Sequence, residues 1–405
     1  MKKISSLREN IEWFKNNPDY TYLDSGATSL KPRDVVYALV NYCNYVSTNP
    51  HNDDSDFAHK AHIVMENTRE KIAKILNTTK KSIIFTPGAT YSLNLVANYL
   101  EPFLNEGDEV VLTNAEHASN LLPWYEVREK KKIKLVFVDI DINSDNIQNI
   151  LNAITDKTKI VSFANETNLI GNSINENLLA KKIKEINPNI IVNVDACQYL
   201  AHDRMDLSDS NIDFVSCSAH KMLGPTGLGA LYINEKLVEK VKPLVVGGGM
   251  NFEIKKNYYT LVSGVEKFEA GTPNILGIYG WCEALDYYLD PELNKEKEKV
   301  YELKKYFDNE LEKIEGFKVL NKGIKAFNTI FVKENVFSQD FASYLGTKKI
   351  IVRSGLSCAK LANEVINHEH VVRCSYHFYT NKNDIDKLLA VLRQYKKGDE
   401  LDGLF

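Results

Sequence analysis

The residues able to do chemistry stand at the ends of apolar runs. In Ser216-Cys217-Ser218-Ala219-His220-Lys221-Met222-Leu223-Gly224 a strand pattern enters a small-residue turn that presents Ser218, His220 and Lys221 together. A lysine at the end of a buried strand is unfavourable as a free cation, because desolvation disfavours its charge. Condensation with an aldehyde cofactor removes that difficulty and uses the amine as a nucleophile. A surface turn would account for the same lysine equally well. Val192-Asn193-Val194-Asp195-Ala196-Cys197-Gln198 sets a carboxylate at the carboxyl end of a second apolar run, where ligands of open α/β sheets bind. A pyridine cofactor acts as an electron sink while its ring nitrogen stays protonated, and Asp195 is the candidate to keep that proton in place. A helix N-cap is the alternative for this aspartate.

Two further segments are weaker taken singly. Thr86-Pro87-Gly88-Ala89-Thr90 lies between strand and helix patterns and offers backbone amides and a hydroxyl to a phosphate at a helix amino terminus. Many Gly/Thr helix starts look alike. Asn114-Ala115-Glu116-His117-Ala118 places an imidazole just past a strand end, where it could stack on a flat cofactor and move protons near neutral pH. An isolated histidine is more often structural.

The elements that must position these groups follow from periodicity. From about residue 82, short β-branched runs alternate with helical stretches, the signature of helices packed on a mostly parallel sheet. Strands are predicted over 82–85, 109–112, 134–139, 159–163, 190–194, 214–217 and 228–233, with amphipathic helices over 89–104 and 119–131. The Gly247-Gly248-Gly249 run and the stretch to Lys267 read as an excursion or lid. A charge-rich helical pattern runs from about Tyr279 to Ile314, and two or three short strands with two helices follow around Phe317, Thr329, Ile350 and Val371. The expected architecture is a large α/β domain over 21–280 and a smaller α+β domain over 281–405, with 1–20 packed against the latter.

Composition narrows the function classes. The chain has 405 residues, 44% hydrophobic, enough to bury a large core. Its net charge of −4 is spread without long blocks of one sign, so no nucleic-acid or anionic-membrane surface is expected. Lys130-Lys131-Lys132 falls where a helix should end and suits the dipole there. The first residues lack an apolar signal segment, and no stretch approaches the about 20 apolar residues of a membrane span. Six cysteines without CxxC pairs argue against a disulfide framework or a zinc site, and a cytoplasmic location is expected.

Together these segments resemble the pyridoxal-phosphate (PLP)-dependent class V aminotransferase family, and within it the SufS-type cysteine desulfurases. The match runs from Tyr22-Leu23-Asp24-Ser25-Gly26-Ala27 to Arg373 and beyond. It includes Thr-Pro-Gly-Ala-Thr at 86–90, Glu-His at 116–117, Thr-Asn-Leu-Ile-Gly at 167–171, Asp-Ala-Cys-Gln at 195–198, Ser-Ala-His-Lys at 218–221 and Phe-Glu-Ala-Gly-Thr-Pro-Asn at 268–274. The resemblance implies a fold-type-I PLP-dependent transferase with a mostly parallel seven-stranded sheet. It makes Lys221 the Schiff-base lysine and pairs Asp195 with the pyridinium. Gln198 and Asn168 would bond the phenolic oxygen, His117 would stack on the ring, and Gly88, Ala89, Thr90, Ser218 and His220 would hold the phosphate. Thr272 would reach the phosphate of a neighbouring subunit, which implies a homodimer.

The reaction-specific part is implied at Val352-Arg353-Ser354-Gly355-Leu356-Ser357-Cys358-Ala359. A desulfurase needs a thiolate to attack the substrate sulfur, leaving an enzyme persulfide and L-alanine. Cys358 holds the family's nucleophile position, although free cysteines are more commonly small buried hydrophobes. Arg373 matches the arginine that grips the substrate carboxylate, a task suited to its planar fork, with Ala27, Asn168 and Arg353 also placed at the substrate. No metal is implied. A sulfur-acceptor or scaffold protein is the implied partner, and iron–sulfur cluster assembly the implied pathway.

The sequence departs from the family at Leu356 and Ser357, where two histidines are usual, at Leu361 in place of proline, and at Asn49-Pro50-His51-Asn52-Asp53, which lacks the usual arginine. These departures bear on the thiol and the pocket rather than on the PLP set. Selenocysteine lysis, transamination or kynurenine cleavage would use the same cradle, but transamination needs no thiol at 358. A binding module without catalysis would have no use for Lys221.

Overall fold

The computed structural model describes residues 2–49, 54–209 and 211–401. Fifteen strands occur among them: β1 (Thr21–Tyr22), β2 (Ile83–Thr86), β3 (Glu109–Thr113), β4 (Lys134–Val138), β5 (Thr158–Ala164), β6 (Ile191–Asp195), β7 (Phe214–Ser218), β8 (Gly229–Ile233), β9 (Asn251–Lys255), β10 (Tyr258–Leu261), β11 (Phe317–Val319), β12 (Asn328–Lys333), β13 (Ile350–Ile351), β14 (Arg353–Ser354) and β15 (Val372–Ser375). Seven form one sheet in the order β2-β8-β7-β6-β5-β3-β4. Its inner neighbours pair in parallel, and β8 runs against both β2 and β7.

Strands covered on both faces read as continuous apolar runs. β3 and β7 are covered in this way, every residue of both being buried, although Ser216 and Ser218 interrupt the apolar run of β7. In register, Ala164 stands beside Asp195 and Asp195 beside Ser216, so the carboxyl ends of β5, β6 and β7 open side by side. The helices Ala89–Leu100 and Ala118–Lys131 begin at that same edge. The second helix ends with Arg128, Lys130 and Lys131 in its last turn, where cations oppose the helix dipole, and Lys132 closes it in the left-handed conformation.

The remaining strands build an antiparallel sheet in the order β11-β12-β15-β14 and a parallel pair β1-β13. Ile4, Leu7 and Ile11 are fully buried in an apolar cluster that reaches Leu388 and Leu392. Arg8 clamps the carboxylate of Asp384 through both terminal nitrogens, at 2.8 and 3.1 Å. The stretch after Gly249 is the exposed hairpin β9–β10, with Phe252 and Ile254 80% and 70% exposed.

Two helical expectations are corrected. The pattern over 279–314 is two helices, Ile275–Tyr288 and Leu293–Leu311. The break falls at Asp290-Pro291, because proline clashes with a helical residue before it. Asp290 uses the break: its Oδ2 accepts the Ile4 amide at 2.7 Å and its Oδ1 the Glu292 amide at 3.0 Å. The helix predicted over 89–104 stops at Leu100 and tightens into a 3-10 turn, Glu101–Phe103, containing Pro102. No helix among the described residues is long and apolar enough to cross a membrane.

Candidate active site

β7 delivers Ser218 to the sheet edge, and a single 3-10 turn, Ala219–Lys221, follows. The Ser218 hydroxyl accepts the Ala89 amide at 2.9 Å, which ties the turn to the amino terminus of the helix Ala89–Leu100. Two glycines make that approach possible. A Cβ on Gly229 would lie 2.4 Å from the Cys217 carbonyl oxygen and 2.7 Å from Gly88 Cα, and Gly88 itself has φ +150°. Thr90 Oγ1 lies 2.8 Å from Ser119 Oγ, so hydroxyls and free amides gather where an anion is favoured.

The turn is held from the other side by residues far away in sequence. The His220 carbonyl accepts from Ser29 N at 2.9 Å, Ser29 Oγ at 2.9 Å, Thr28 Oγ1 at 3.1 Å and Lys31 Nζ at 3.0 Å. Burial lowers the Lys31 pKa to about 7. The same cause, with Lys221 and Lys31 nearby, lowers His220 to about 4, which keeps its imidazole neutral.

Asp195 ends β6, and its Oδ1 accepts the Cys197 amide at 3.0 Å. His117 caps the helix Ala118–Lys131, its Nδ1 accepting from the Ser119 amide at 3.1 Å. The neutral ring therefore carries its proton on Nε2. Burial lowers its pKa, opposed by the Asp195 carboxylate and assisted by Lys221 and Arg373. Beneath it, burial pushes Glu116 up to about 7, although Thr113, Asn120 and the Ala164 amide all donate to its carboxylate.

The thiol approaches from the smaller sheet. Gly355, Ser357 and Cys358 all have positive φ, at +84°, +48° and +66°. Leu356 is buried among Ala115, Leu169, Ile170 and Ile330 and pins the loop from beneath, a task an imidazole would perform less well. The Asn168 Nδ2 donates to the Ser357 carbonyl at 2.6 Å, and the Ala118 amide donates to the Cys358 carbonyl at 2.9 Å. Cys358 is exposed, whereas Cys197, Cys217, Cys282 and Cys374 are buried. Arg373, 2% exposed, donates to the Asn168 carbonyl at 2.8 Å and to Asp24 at 3.1 Å, and Arg353 lies 3.7 Å from the other Asp24 oxygen.

These groups enclose one cavity of about 300 Å³, lined by Ala27, Ala89, Thr90, His117, Asn168, Asp195, Gln198, Ser218, His220, Lys221, Arg353, Cys358 and Arg373. Gly88 supports the wall from behind, with its Cβ direction 3.6 Å from Ser218 Oγ. Thr272 stands apart on an exposed turn and does not line the cavity. Asn168 and Gln198 both commit their amide nitrogens, to Ser357 O and to Gly26 O at 3.1 Å, and so present acceptors to the cavity. The departure at residues 50–53 lies outside the described residues. Among the described residues no cluster of three or more metal-ligating side chains occurs.

The sequence reading missed Glu166, Ser119, Cys197 and Ser357 in the lining, and Lys31 behind it. Glu166 was within reach: Ala164, Glu166 and Asn168 continue the two-residue period of β5 onto the cavity wall. Lys31 left no local signal, since its partner lies 189 positions away. The arrangement fits an aldehyde cofactor bearing a phosphate and a basic ring nitrogen. It supplies an amine, a carboxylate at the sheet edge, an anion cup, and three buried polar atoms without partners among the described residues, Asn168 Oδ1, Arg373 Nε and Ser357 Oγ.

Comparison with known proteins agrees with this geometry. The family model for class V aminotransferases matches residues 21–388. A probable cysteine desulfurase of Ureaplasma parvum is 47% identical over 401 residues, covering 99% of this chain and 100% of the relative. One from Mycoplasma genitalium is 34% identical, covering 97% and 96%. The crystal structure of the cysteine desulfurase CsdA from Escherichia coli superposes with a TM-score of 0.90 at 28% identity, covering 99% of both chains. The apo cysteine desulfurase of Thermococcus onnurineus gives 0.91 at 29%, covering 97% and 98%.

Proposed function

The chain belongs to the class V aminotransferase family, and from that premise we propose how it works: it is a cysteine desulfurase that takes the sulfur of L-cysteine onto Cys358 and releases L-alanine. The observation that carries this reading is the meeting of Lys221 and an exposed Cys358 thiol on one cavity. Pyridoxal phosphate, when bound, supplies the electron sink that labilises bonds around the substrate's α-carbon. Lys221 would hold its aldehyde, Asp195 its ring nitrogen, and the cup of Gly88, Ala89, Thr90, Ser218 and His220 its phosphate. His117 would cover the ring, and its neutral state leaves Nδ1 bonded to Ser119 and the ring proton on Nε2.

Arg373 and Arg353 orient the substrate through its carboxylate. The Cys358 thiolate then attacks the substrate sulfur: an S–S bond forms and the C–S bond breaks. The electron pair stays with the carbon fragment, which leaves as alanine after protonation. The Cys358 persulfide passes its outer sulfur to an acceptor thiol, and iron–sulfur cluster assembly is the pathway this would serve, in the cytoplasm. A second copy of the chain is part of the reading. Val36, Tyr37 and Val40 on the helix Arg33–Asn41, and Phe252 and Ile254 on the hairpin, are exposed apolar side chains that a second copy would cover, and Thr272 is exposed. The large unit 21–280 would bind the cofactor and 281–405 would bring the thiol.

The test is incubation of the PLP-loaded protein with L-cysteine, with and without reductant, measuring alanine and sulfide, followed by mass spectrometry. Alanine formed with a sulfur adduct on Cys358 supports the reading. Full activity in Cys358→Ala would move the chain to transamination or selenocysteine lysis. Sedimentation showing a fully active monomer would remove the dimer.

A further inference from the structure

Three buried polar atoms have no hydrogen-bond partner among the described residues and belong to residues that share the cavity wall: Asn168 Oδ1, Arg373 Nε and Ser357 Oγ. All hang on Asn168. Its carbonyl accepts Arg373 Nη1 at 2.8 Å, and its Nδ2 donates to the Ser357 carbonyl at 2.6 Å. A carbonyl can only accept, so that contact fixes which end of the Asn168 amide is nitrogen. Buried polar groups are almost always satisfied in folded proteins, and three orphans around one residue mark the seat of a polar ligand.

The chemistry of that ligand follows from the set. It offers the Nε–H of Arg373 and the hydroxyl of Ser357 as donors, and Asn168 Oδ1 as acceptor. Asp24 pairs with Arg373 at 3.1 Å and approaches Arg353 at 3.7 Å, so two guanidinium groups face one carboxylate and leave one positive charge for the ligand. A single carboxylate with two accepting oxygens matches the charge and the two donors, and leaves Asn168 Oδ1 for a donor elsewhere on the same ligand, such as the ammonium of an amino acid. Ser357 is held at the site by its backbone: its carbonyl is bonded to Asn168, the next carbonyl is bonded to Ala118, and its φ is +48°.

We propose that Ser357 is a substrate-binding residue whose hydroxyl donates to the α-carboxylate of the amino-acid substrate, beside the Nε–H of Arg373. This rests on the desulfurase reading and adds a contact that reading does not require. A hydrogen bond to a charged group contributes enough to change affinity about tenfold.

The test uses calorimetry of the PLP-loaded enzyme with L-alanine, the product, and with L-alaninamide, which lacks the carboxylate. Ser357→Ala and Ser357→Gly should each weaken L-alanine about tenfold and leave L-alaninamide within about twofold. The KM for L-cysteine should rise in step, with kcat nearly unchanged. Equal loss for both ligands would overturn the proposal. So would a fall in kcat at constant KM, which would put the hydroxyl on the transferred sulfur. A loss confined to Ser357→Gly would trace to backbone freedom at a left-handed position and would also overturn it. A wild type that binds L-alanine yet makes none from L-cysteine would sink the desulfurase reading instead, while the calorimetric contrast would still report on Ser357.

Discussion

The two walls of the cavity are built on opposite plans. On one, Asp195 and Ser218 stand at the ends of β6 and β7, buried, in register with their neighbours and bonded to backbone amides. On the other, Cys358 sits in a loop between β14 and the short helix Ala362–Ile366, with three left-handed residues in four positions and its side chain exposed. Left-handed backbone at residues other than glycine is unfavourable and persists where surroundings over-determine it. Here Leu356 below, Asn168 beside and Ala118 behind do so. A cofactor that must stay suits the first wall. The second suits the proposed reaction, in which the thiol passes its sulfur to a second molecule, because an enclosed thiol could meet no acceptor.

If that contrast is right, losses on the first wall should abolish the chemistry and losses on the second should separate chemistry from binding. Lys221→Ala is expected to have the largest effect, lowering turnover by on the order of 10⁴-fold, because no other amine lines the cavity among the described residues. PLP should remain bound through Asp195 and the phosphate cup, but without the visible band of the lysine-bound form. An active Lys221→Ala enzyme would show that the rigid wall is not where the chemistry starts.

Cys358→Ala should lower alanine formation by about three orders of magnitude in kcat while the affinity for L-alanine changes little, the signature of a group used only in the chemical step. Equal loss in binding and turnover would mean that the loop shapes the pocket rather than supplying the nucleophile. Arg373→Lys, at the seam between the walls, should raise KM for L-cysteine about 10- to 100-fold, since lysine keeps the charge but not the fork that reaches both Asp24 and Asn168. An unchanged KM would remove Arg373 from the substrate.

The contrast also explains what the sequence could tell. That Asp195, Ser218 and Lys221 meet at the open edge of the sheet was legible because strand ends follow apolar runs. The seven-stranded sheet was legible from the same alternation. The loop around Cys358 could be placed only by resemblance, because its shape depends on partners distant in sequence: Asn168, 189 positions before Ser357, and Ala118 still farther from Cys358. The clamp of Thr28, Ser29 and Lys31 on the His220 carbonyl was invisible for the same reason. The helix break at Pro291 is different in kind. Its signal was present in the sequence, but the uninterrupted charge-rich helical pattern on either side outweighed it.

The smallest expected effect tests whether the rigid wall tolerates a misfit charge. Glu166 lines the cavity 8% exposed, and its carboxylate takes no hydrogen bond among the described residues. Burial pushes its pKa up to about 8, with the Asp203 carboxylate adding to the rise and Lys297 and Lys221 opposing it. A carboxyl whose folded pKa lies above its unfolded value binds more protons when folded, so its contribution to stability is complete at low pH and is lost as pH rises through the folded value. Wild-type stability should therefore decline between about pH 5 and 8 by an amount that Glu166→Gln removes. Thermal melts should show the variant close to wild type at pH 5 and more stable at pH 8.5, by ~1–3 kcal/mol. Parallel melting curves across that range would mean that the carboxyl ionises without penalty, and that the cavity floor admits enough water to solvate it.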